Sequence, residues 1–593
     1  MFVLTTSSAL LFTSCKKDLD TTPEPVATVP AAKSKITLSN SINPFSLRNV
    51  QKAKATLAAH AGIKDNASIN LTGTEPQFIY FKFNPNELNG EQFASIKDDS
   101  SVFMLQIPFA NMNIYTEEFG LDSTKAEQLR DGNIYGVTSI NNTTVINAIR
   151  NRPETQAVLL DTIVQIAEED TALQFQAFRE IGYTEEQLNK FRICLFKRPH
   201  GFVRYLDNDL GGLQPVRGMS VWALVFGIPV KTFTDDNGYY EIPWRFSFGT
   251  VMGTLAINDK VAIRPINSFN LNRFIIDFLT GPNTIENWFS PCQMRDGIDF
   301  NYSAHSKPRY WCHILNGYSF HHQYCSADNI NAAPKRLVCY AEWRRGSTVG
   351  SASMPLLNFI GANPNLVGAH MKKWYGFLIP TYFSFLITHQ LPDNTYAVGG
   401  EAEPTHYSSV LMQTVFHELG HASQYNRVGN NWYAKMAAAE SLIPRDGGYG
   451  DAGYEDWGKV QVTESWAEFI GTQYARRRYG NNGFKRFTEF GVTNFSLVNI
   501  DQEAIFTQRW IPTGFYNDLI DNVNAYTLEN PFDSVGGSTI HNMYYVFNSN
   551  TNNMCDYLFQ FQNTYPTVFT PYSTTFDLTG YYNNYDINNF SCF

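Results

Sequence analysis

Residues 417–421 read His-Glu-Leu-Gly-His, and no other feature constrains the structure of this 593-residue chain as strongly. On an α-helix the two histidines lie four residues apart on one face, so both imidazoles can bind the same ion. Zn²⁺ takes such nitrogen ligands, and Glu418, the next residue round the helix, can act as a general base on water at that ion. Chance would produce this pattern in on the order of one such chain in a hundred.

The sequence around this motif predicts a helix that runs through it without a break. Ser408 or Ser409 can cap its start, because a serine hydroxyl accepts a hydrogen bond from a free N–H of the first turn. Gly420 is a poor helix former, but its missing side chain lets another backbone approach the histidine face. Apolar residues recur at helical spacing as a stripe that we expect to face the core: Leu411, Val415 and Leu419.

The segment before this helix, residues 374–400, is rich in aromatic and β-branched residues and predicts one or two strands, with a turn at 392–394. A strand of this segment beside the histidine helix would offer a sheet edge to which an extended peptide can add. We therefore expect substrate to pair with the sheet next to the metal.

A zinc ion with two histidines and a water still needs a third protein ligand. Residues 463–469 read Thr-Glu-Ser-Trp-Ala-Glu-Phe and predict a second helix with Glu464 and Glu468 on one face. We expect Glu464 to be the third ligand and Glu468 to accept the free ring N–H of a ligating histidine. Glu440 and Glu455 are competing candidates, and the alternative for the 464/468 pair is a solvated helix face.

The order of these residues resembles that of the gluzincin zinc metallopeptidases, in which a His-Glu-x-x-His helix precedes a glutamate and a second acid four residues on. Thermolysin-like members carry aspartate at the position of Glu468, and their gap between His421 and Glu464 is shorter. The resemblance implies a zinc-dependent peptidase that hydrolyses peptide bonds, with His417, His421 and Glu464 as ligands and Glu418 as catalytic base.

Residues 534–542 read Ser-Val-Gly-Gly-Ser-Thr-Ile-His-Asn and are similar to the Gly-Gly-x-His-x-Asn stretch of thermolysin-like proteases, with two extra residues. In that family the histidine steadies the oxyanion of the transition state, so the resemblance implies this role for His541. A phenol can also donate to an oxyanion, which makes Tyr544 and Tyr545 candidates for the same role. The alternative is a half-buried histidine at a helix start beside two core tyrosines.

The first fourteen residues are small and apolar, and residues 11–15 read Leu-Phe-Thr-Ser-Cys, which resembles a bacterial lipobox. The resemblance implies a lipoprotein signal at 1–14, lipidation of Cys15 and an extended Pro- and Thr-rich tether at 15–35. The basic residues of a secretory signal are missing, which a start site placed too late would explain; the alternatives are an ordinary signal peptide or a short buried strand. The Cys-Lys-Lys-Asp start resembles lipoproteins of the Bacteroidetes group and implies anchoring at the outer membrane or cell surface, or facing the periplasm.

Length and patterning predict a multidomain protein. Residues 36–195 mix strand and helix patterns in an N-terminal α+β domain, with 145–189 mostly helical. Residues 197–270 contain Thr-Asp-x-x-Gly-Tyr at 234–239 and resemble the carboxypeptidase regulatory-like domain, which implies a β-sandwich. Residues 276–593 form the expected zinc metallopeptidase domain, mainly helical with a zincin-like α+β fold.

Charge and composition limit the partners of the chain. The formal net charge is −10 and no basic cluster exceeds Arg476-Arg477-Arg478, so we expect no nucleic acid partner. Aromatic residues make up 15% of the chain, and exposed tyrosines and tryptophans can line a cleft for peptides or glycans. We expect a protein or peptide substrate, with glycoproteins as a further candidate. The competing hypothesis is a non-enzymatic surface lipoprotein that binds protein or glycan and keeps a vestigial metal site.

The cysteines predict disulfides, because an export compartment permits them. Of eight cysteines, an odd number remains after Cys15, which leaves at least one free thiol. Cys312 with Cys325, and Cys555 with Cys592, are plausible pairs. The cysteines and histidines between 312 and 325 could also form a second metal site, although their spacing matches no common zinc module.

Overall fold

The computed structural model describes residues 43–566 except 62–74, 86–95, 107–130, 266–282, 354–383, 392–407, 442–454, 495–510, 521–536 and some gaps of seven residues or fewer. The predicted signal (1–14), Cys15, the tether (15–35), the turn at 392–394 and Cys592 lie outside the described residues. The described chain contains both helices and sheets, in agreement with the predicted α+β class.

In the first part of the described chain, residues 43–192, an antiparallel sheet combines with four helices. The strands are β1 (Phe78–Phe83), β2 (Phe103–Leu105), β3 (Ile134–Ser139) and β4 (Val158–Ile163), in the spatial order β2-β3-β1-β4. The helices are α1 (Leu47–His60), α2 (Thr143–Arg150), α3 (Thr171–Glu180) and α4 (Glu185–Arg192). Helix α1 packs against α3, where Lys52 pairs with Glu180 at 2.7 Å.

The expectation of mostly helix over 145–189 is wrong for residues 158–163. These residues form β4, which pairs antiparallel with β1. The stretch reads Val-Leu-Leu-Asp-Thr-Ile, a short apolar run that local periodicity cannot assign to a strand or a helix. Pairing with a strand from far upstream decides the outcome.

The strands of the segment 197–270 belong to three sheets, and each sheet also contains strands from beyond residue 276. The strands are β5 (His200–Leu206), β6 (Leu213–Pro215), β7 (Ser220–Val225), β8 (Ile228–Phe233), β9 (Tyr239–Glu241), β10 (Thr250–Leu255), β11 (Val261–Pro265), β12 (Asn283–Phe289), β13 (Phe300–Tyr302), β14 (Leu337–Arg345), β15 (Gly350–Ser353) and β16 (Ser384–Leu391). The sheets have the orders β12-β10-β7-β8, β13-β5-β6 with β9 on β5, and β11-β14-β16-β15. The limit predicted between 270 and 276 therefore does not coincide with a boundary between sheets.

Strand β16 falls within the segment that the sequence predicts as strand. It pairs in parallel with β14 on one side and antiparallel with β15 on the other. Both of its edges are thus taken, so β16 itself does not offer the open edge that the sequence predicts for this segment. Among the described residues the outer strands of this sheet are β11 and β15.

Helices dominate the rest of the described chain. They are α5 (Pro291–Asp296), α6 (Lys307–Ala327), α7 (Ser408–Val428), α8 (Asn430–Ser441), α9 (Trp457–Gly483), α10 (Phe515–Ile520), α11 (Ile540–Val546) and α12 (Met554–Thr564), and strands β17 (Lys485–Thr488) and β18 (Gly491–Asn494) form a hairpin. Helix α7 contacts both α6 and α9. Every residue from Ser408 to Gln424 is buried except His417, so α7 is a core helix enclosed on nearly all sides rather than one with a single apolar stripe.

The predicted pair of Cys312 and Cys325 is wrong. Both are buried free thiols, as is Cys339. Cys312 and Cys325 lie on the same helix, α6, where the rise per residue separates them by about 20 Å, far beyond the reach of a disulfide. Cys555 is disulfide-bonded. In the described part of the chain, no helix is long and apolar enough to cross a membrane.

Candidate metal centre

The start of α7 is fixed by residues from the loop between β5 and β6. The helix begins at Ser408, and the Asp209 carboxylate accepts hydrogen bonds from the backbone N–H and the hydroxyl of Ser409, at 2.7 and 2.6 Å. The Ser408 hydroxyl accepts from the Asn208 backbone N–H and from Arg309. The sequence predicts a serine hydroxyl as the acceptor at the start of this helix. For the Ser409 N–H, an aspartate distant in sequence is the acceptor instead.

Helices α7 and α9 cross closely because each has a glycine at the contact. A Cβ on Gly420 would lie 3.3 Å from the Ala467 Cα, and a Cβ on Gly471 would lie 3.2 Å from the His417 Cβ. The prediction for Gly420 is thus confirmed, since the α9 backbone passes directly against it. The close crossing brings the glutamates of α9 to the histidines of α7.

His417, His421 and Glu464 come together at this crossing. The two Nε2 atoms are 3.1 Å apart, Glu464 Oε2 is 3.4 Å from the His417 Nε2, and Glu464 Oε1 is 3.3 Å from the His421 Nε2. One ligand atom from each of the three side chains lies within 4.8 Å of the other two, close enough for all three to bind the same ion. Among the described residues, no other group of His, Cys, Asp or Glu side chains is this close.

These separations fit Zn²⁺. With bonds of about 2.0–2.2 Å, the corners of a tetrahedron lie about 3.3–3.6 Å apart. Two imidazole nitrogens and one carboxylate are also a donor set that zinc uses in catalytic sites, where a fourth position stays open for water or substrate. Of the three side chains, His417 is the most accessible, with 16% of its surface exposed.

Glu468 contacts His417 as predicted. Its Oε2 lies 3.5 Å from the His417 Nδ1, the nitrogen turned away from the other ligands. Its Oε1 accepts hydrogen bonds from the Gln413 side-chain amide at 3.0 Å and from the Thr472 hydroxyl at 3.3 Å. The carboxylate is therefore held from both helices and holds the ring of His417 in turn.

The protonation states follow from burial and from the carboxylates. Burial opposes a charge on His417, but hydrogen bonds to Glu464 and Glu468 outweigh it and hold the His417 pKa well above its usual value. Burial lowers the pKa of His421 to about 3, so this ring is neutral. A cation at the centre would displace the proton of His417, because a ligating imidazole must be neutral. Burial acts to raise the pKa of Glu464, yet the two imidazoles outweigh it and keep Glu464 ionised.

Glu418 is 1% exposed and follows His417 on α7. The charge of Glu418 acts on Cys339 of β14. Burial, and then this charge, raise the pKa of the Cys339 thiol well above its usual value. The charge of Glu418 also raises the pKa of His417, so the carboxylate lies within electrostatic reach of the centre.

His541, Tyr544 and Tyr545, the predicted oxyanion donors, lie on α11. The His541 Nδ1 is 2.9 Å from the backbone carbonyl of Asn329, and the Tyr544 hydroxyl donates to the Ser423 carbonyl. No contact between described residues joins His541 or Tyr545 to His417, His421 or Glu464. These contacts match the alternative interpretation, a histidine at a helix start beside a core tyrosine. Tyr545 itself is 37% exposed and packs against Arg427.

Of the competing sequence candidates, Glu455 is exposed and is not in the group of donors, and Glu440 belongs to α8. The histidines and cysteines of α6 form no ligand group among the described residues. His321 instead contacts the Cys325 sulfur at 3.6 Å, and the Tyr474 hydroxyl donates to that sulfur.

Sequence reasoning missed the residues that hold the centre from outside. Gln413, Thr472 and Asp209 carry no motif, and only the helical spacing of Gln413, one turn before His417, could have suggested a role.

Comparison of the chain with protein-family models, curated proteins and solved structures finds no match.

Proposed function

We propose that this chain is a zinc-dependent peptidase that hydrolyses peptide bonds at the His417–His421–Glu464 centre. The observation that carries the proposal is the combination of three donors at zinc spacing with Glu418, a buried carboxylate in the same helical turn. A structural zinc site has four protein ligands and needs no such carboxylate. The set is that of the gluzincin metallopeptidases, which the sequence resembles.

Bound zinc would lower the pKa of its water and polarise the carbonyl of the scissile bond. Glu418 would act as the general base toward the attacking water and would return the proton to the leaving amine. Glu468 fixes the ring of His417, so that its Nε2 points at the centre. His541 or a tyrosine of α11 would donate to the oxyanion, as the sequence predicts.

The outer strand β15 supports an extended peptide as substrate. It contacts α7, and its partner β16 covers its other edge. A peptide that adds to β15 would form backbone hydrogen bonds along the sheet and lie beside the histidine helix. We propose this strand, rather than β16, as the docking edge for protein substrates, including glycoproteins.

We also propose a domain architecture and a cellular location for the protein. A zincin-like catalytic region would account for the helices around α7. A regulatory-like β-sandwich would account for strands of 197–270, although each of their sheets also contains strands from beyond residue 276. The lipobox-like start supports an anchor at Cys15 and a place at the outer membrane or cell surface, where protein substrates are available.

The test combines metal analysis with a peptide-library digest. We expect the purified protein to hold about one zinc per chain, to cleave library peptides, and to lose cleavage on chelation and recover it with zinc. Glu418→Gln should keep the zinc and lower kcat at least about a hundredfold. Zinc binding with no cleavage of any library peptide would instead favour a binding lipoprotein. Full activity in Glu418→Gln would exclude the mechanism.

A further inference from the structure

Two buried glutamines of α7 flank the metal centre. Gln413 lies one turn before His417 and is 4% exposed; Gln424 lies three residues after His421 and is fully buried. Each forms a hydrogen bond across the crossing to a residue of α9 that is next to a metal ligand or touches one. Neither is explained by the ligand set or by the general base.

Gln413 acts on the His417 side of the centre. Its amide donates to Glu468 Oε1, while the other oxygen of Glu468 faces the His417 Nδ1. The bond from Gln413 to Oε1 is shorter than the bond from Thr472, so its loss weakens the hold on the carboxylate beside the ring.

Gln424 acts on the other side. Its Oε1 accepts a hydrogen bond of 2.6 Å from the hydroxyl of Thr463, the residue before Glu464. The ring of His421 has no carboxylate behind it: its Nδ1 is buried and has no hydrogen-bond partner among the described residues. The placement of Glu464 against His421 therefore depends on the register of the two helices.

A role in stability alone does not explain Gln424. Its amide nitrogen is buried and has no hydrogen-bond partner in the described part of the chain, so an apolar side chain of the same size would avoid a desolvation penalty. The crossing itself is lined by Gly420 and Gly471, which offer no side chain to stop one helix from sliding along the other. A slide by one residue shifts a helix by about 1.5 Å and turns its side chains by about 100°, enough to remove Glu464 from the centre.

We propose that Gln413 and Gln424 are positioning residues that lock the register of α7 and α9, so that Glu464 and Glu468 meet the two histidines before the metal binds. The inference rests on the proposed zinc site but not on catalysis. It predicts that breaking either glutamine bond weakens metal binding more than it weakens the fold.

The experiment compares isosteric variants. Gln413→Met and Thr463→Val each remove one bond at nearly constant volume, and Thr463→Ser keeps the hydroxyl. Val415→Ala is the control: Val415 is equally buried on α7 but faces α6, where it packs on Gly317. The readouts are the zinc dissociation constant, from competition with a chromophoric chelator, the visible spectrum of the Co²⁺-loaded protein, and the Tm of the metal-free protein.

We expect Gln413→Met and Thr463→Val to raise the zinc dissociation constant about 10- to 100-fold and to alter the Co²⁺ spectrum. Thr463→Ser should restore the wild-type affinity, and Val415→Ala should lower the Tm without changing the affinity. Wild-type affinity in both isosteric variants, with a lower Tm like that of Val415→Ala, would overturn the inference and leave the proposed peptidase intact. If the wild-type protein binds no zinc, the proposed function fails and the inference fails with it.

Discussion

The carboxylate of Asp209 binds both the backbone N–H and the hydroxyl of Ser409, although the two residues are 200 positions apart. This contact caps the helix that carries the histidines. Asp207, in the same loop, accepts a hydrogen bond from Tyr479 near the end of α9. One short loop between β5 and β6 thus holds both metal-binding helices at the same end.

Asp209→Ala should destabilise the protein, because it removes the acceptor at a buried helix start. Loss of an N-terminal cap costs about 1–2 kcal/mol. Urea unfolding followed by circular dichroism measures the change. Asp236→Ala is the matched control, since Asp236 is exposed on a turn. Equal stability of the two variants would show that the contact with Ser409 contributes nothing.

The two glutamates of α9 should differ in their effect on metal affinity. Glu464→Gln removes a ligand, whereas Glu468→Gln removes only the partner of the His417 Nδ1. We expect Glu468→Gln to weaken zinc binding about 10- to 100-fold, the range for such partners, and Glu464→Gln to weaken it further. Isothermal titration with zinc measures both. The reverse order would mean that Glu468 is the ligand.

Stability at the contact of α1 with α3 should depend on pH through Glu180. A hydrogen bond from Lys52, followed by bonds from Gln176 and Thr56, lowers the Glu180 pKa despite burial. A lowered carboxyl pKa stabilises the fold above the unfolded value of about 4.3, and this contribution is lost as pH falls through the folded value.

Glu180→Gln should therefore speed amide exchange in α1 and α3 at neutral pH. Compared at pH values below the pKa of Glu180, the variant and the wild type should exchange alike. Glu75→Gln, at an exposed position, provides the control and should exchange like the wild type throughout. A gap between Glu180→Gln and wild type that stays constant down to pH 3 would contradict the assignment.

The buried thiols should not react with a thiol reagent in the native protein. Cys312, Cys325 and Cys339 are buried and free, and burial raises the pKa of Cys325 to about 12. Because the thiolate is the reactive form, Ellman's reagent should not label these three until the protein unfolds. Mass spectrometry of a non-reduced digest should find no peptide linked through Cys312 and Cys325. Rapid labelling of Cys325 in the native state would contradict its burial.

The sequence predicts the centre well because its spacing is local. His417 and His421, and likewise Glu464 and Glu468, are each one helical turn apart, so the face they share follows from helix geometry alone. The structure brings together the three predicted donors, and Glu468 contacts a histidine as expected. The close approach at Gly420 also follows from a local property of the sequence, because glycine has no Cβ to keep another backbone away.

The features that could not be predicted depend on tertiary contacts. Residues 158–163 become a strand because β1 pairs with them, and β16 is internal because β14 and β15 flank it. The cap from Asp209 comes from a loop with no motif. Cys312 and Cys325 are close in sequence, and the sequence allows them to pair. A continuous helix keeps the two cysteines apart.

The interleaving of strands across residues 270 and 276 has a consequence for engineering. A fragment that starts at 276 would leave β12 without β10, β13 without β5, β14 without β11 and α7 without Asp209. The candidate metal centre therefore cannot be transplanted to another scaffold with that fragment alone, and any minimal version must begin ahead of β5.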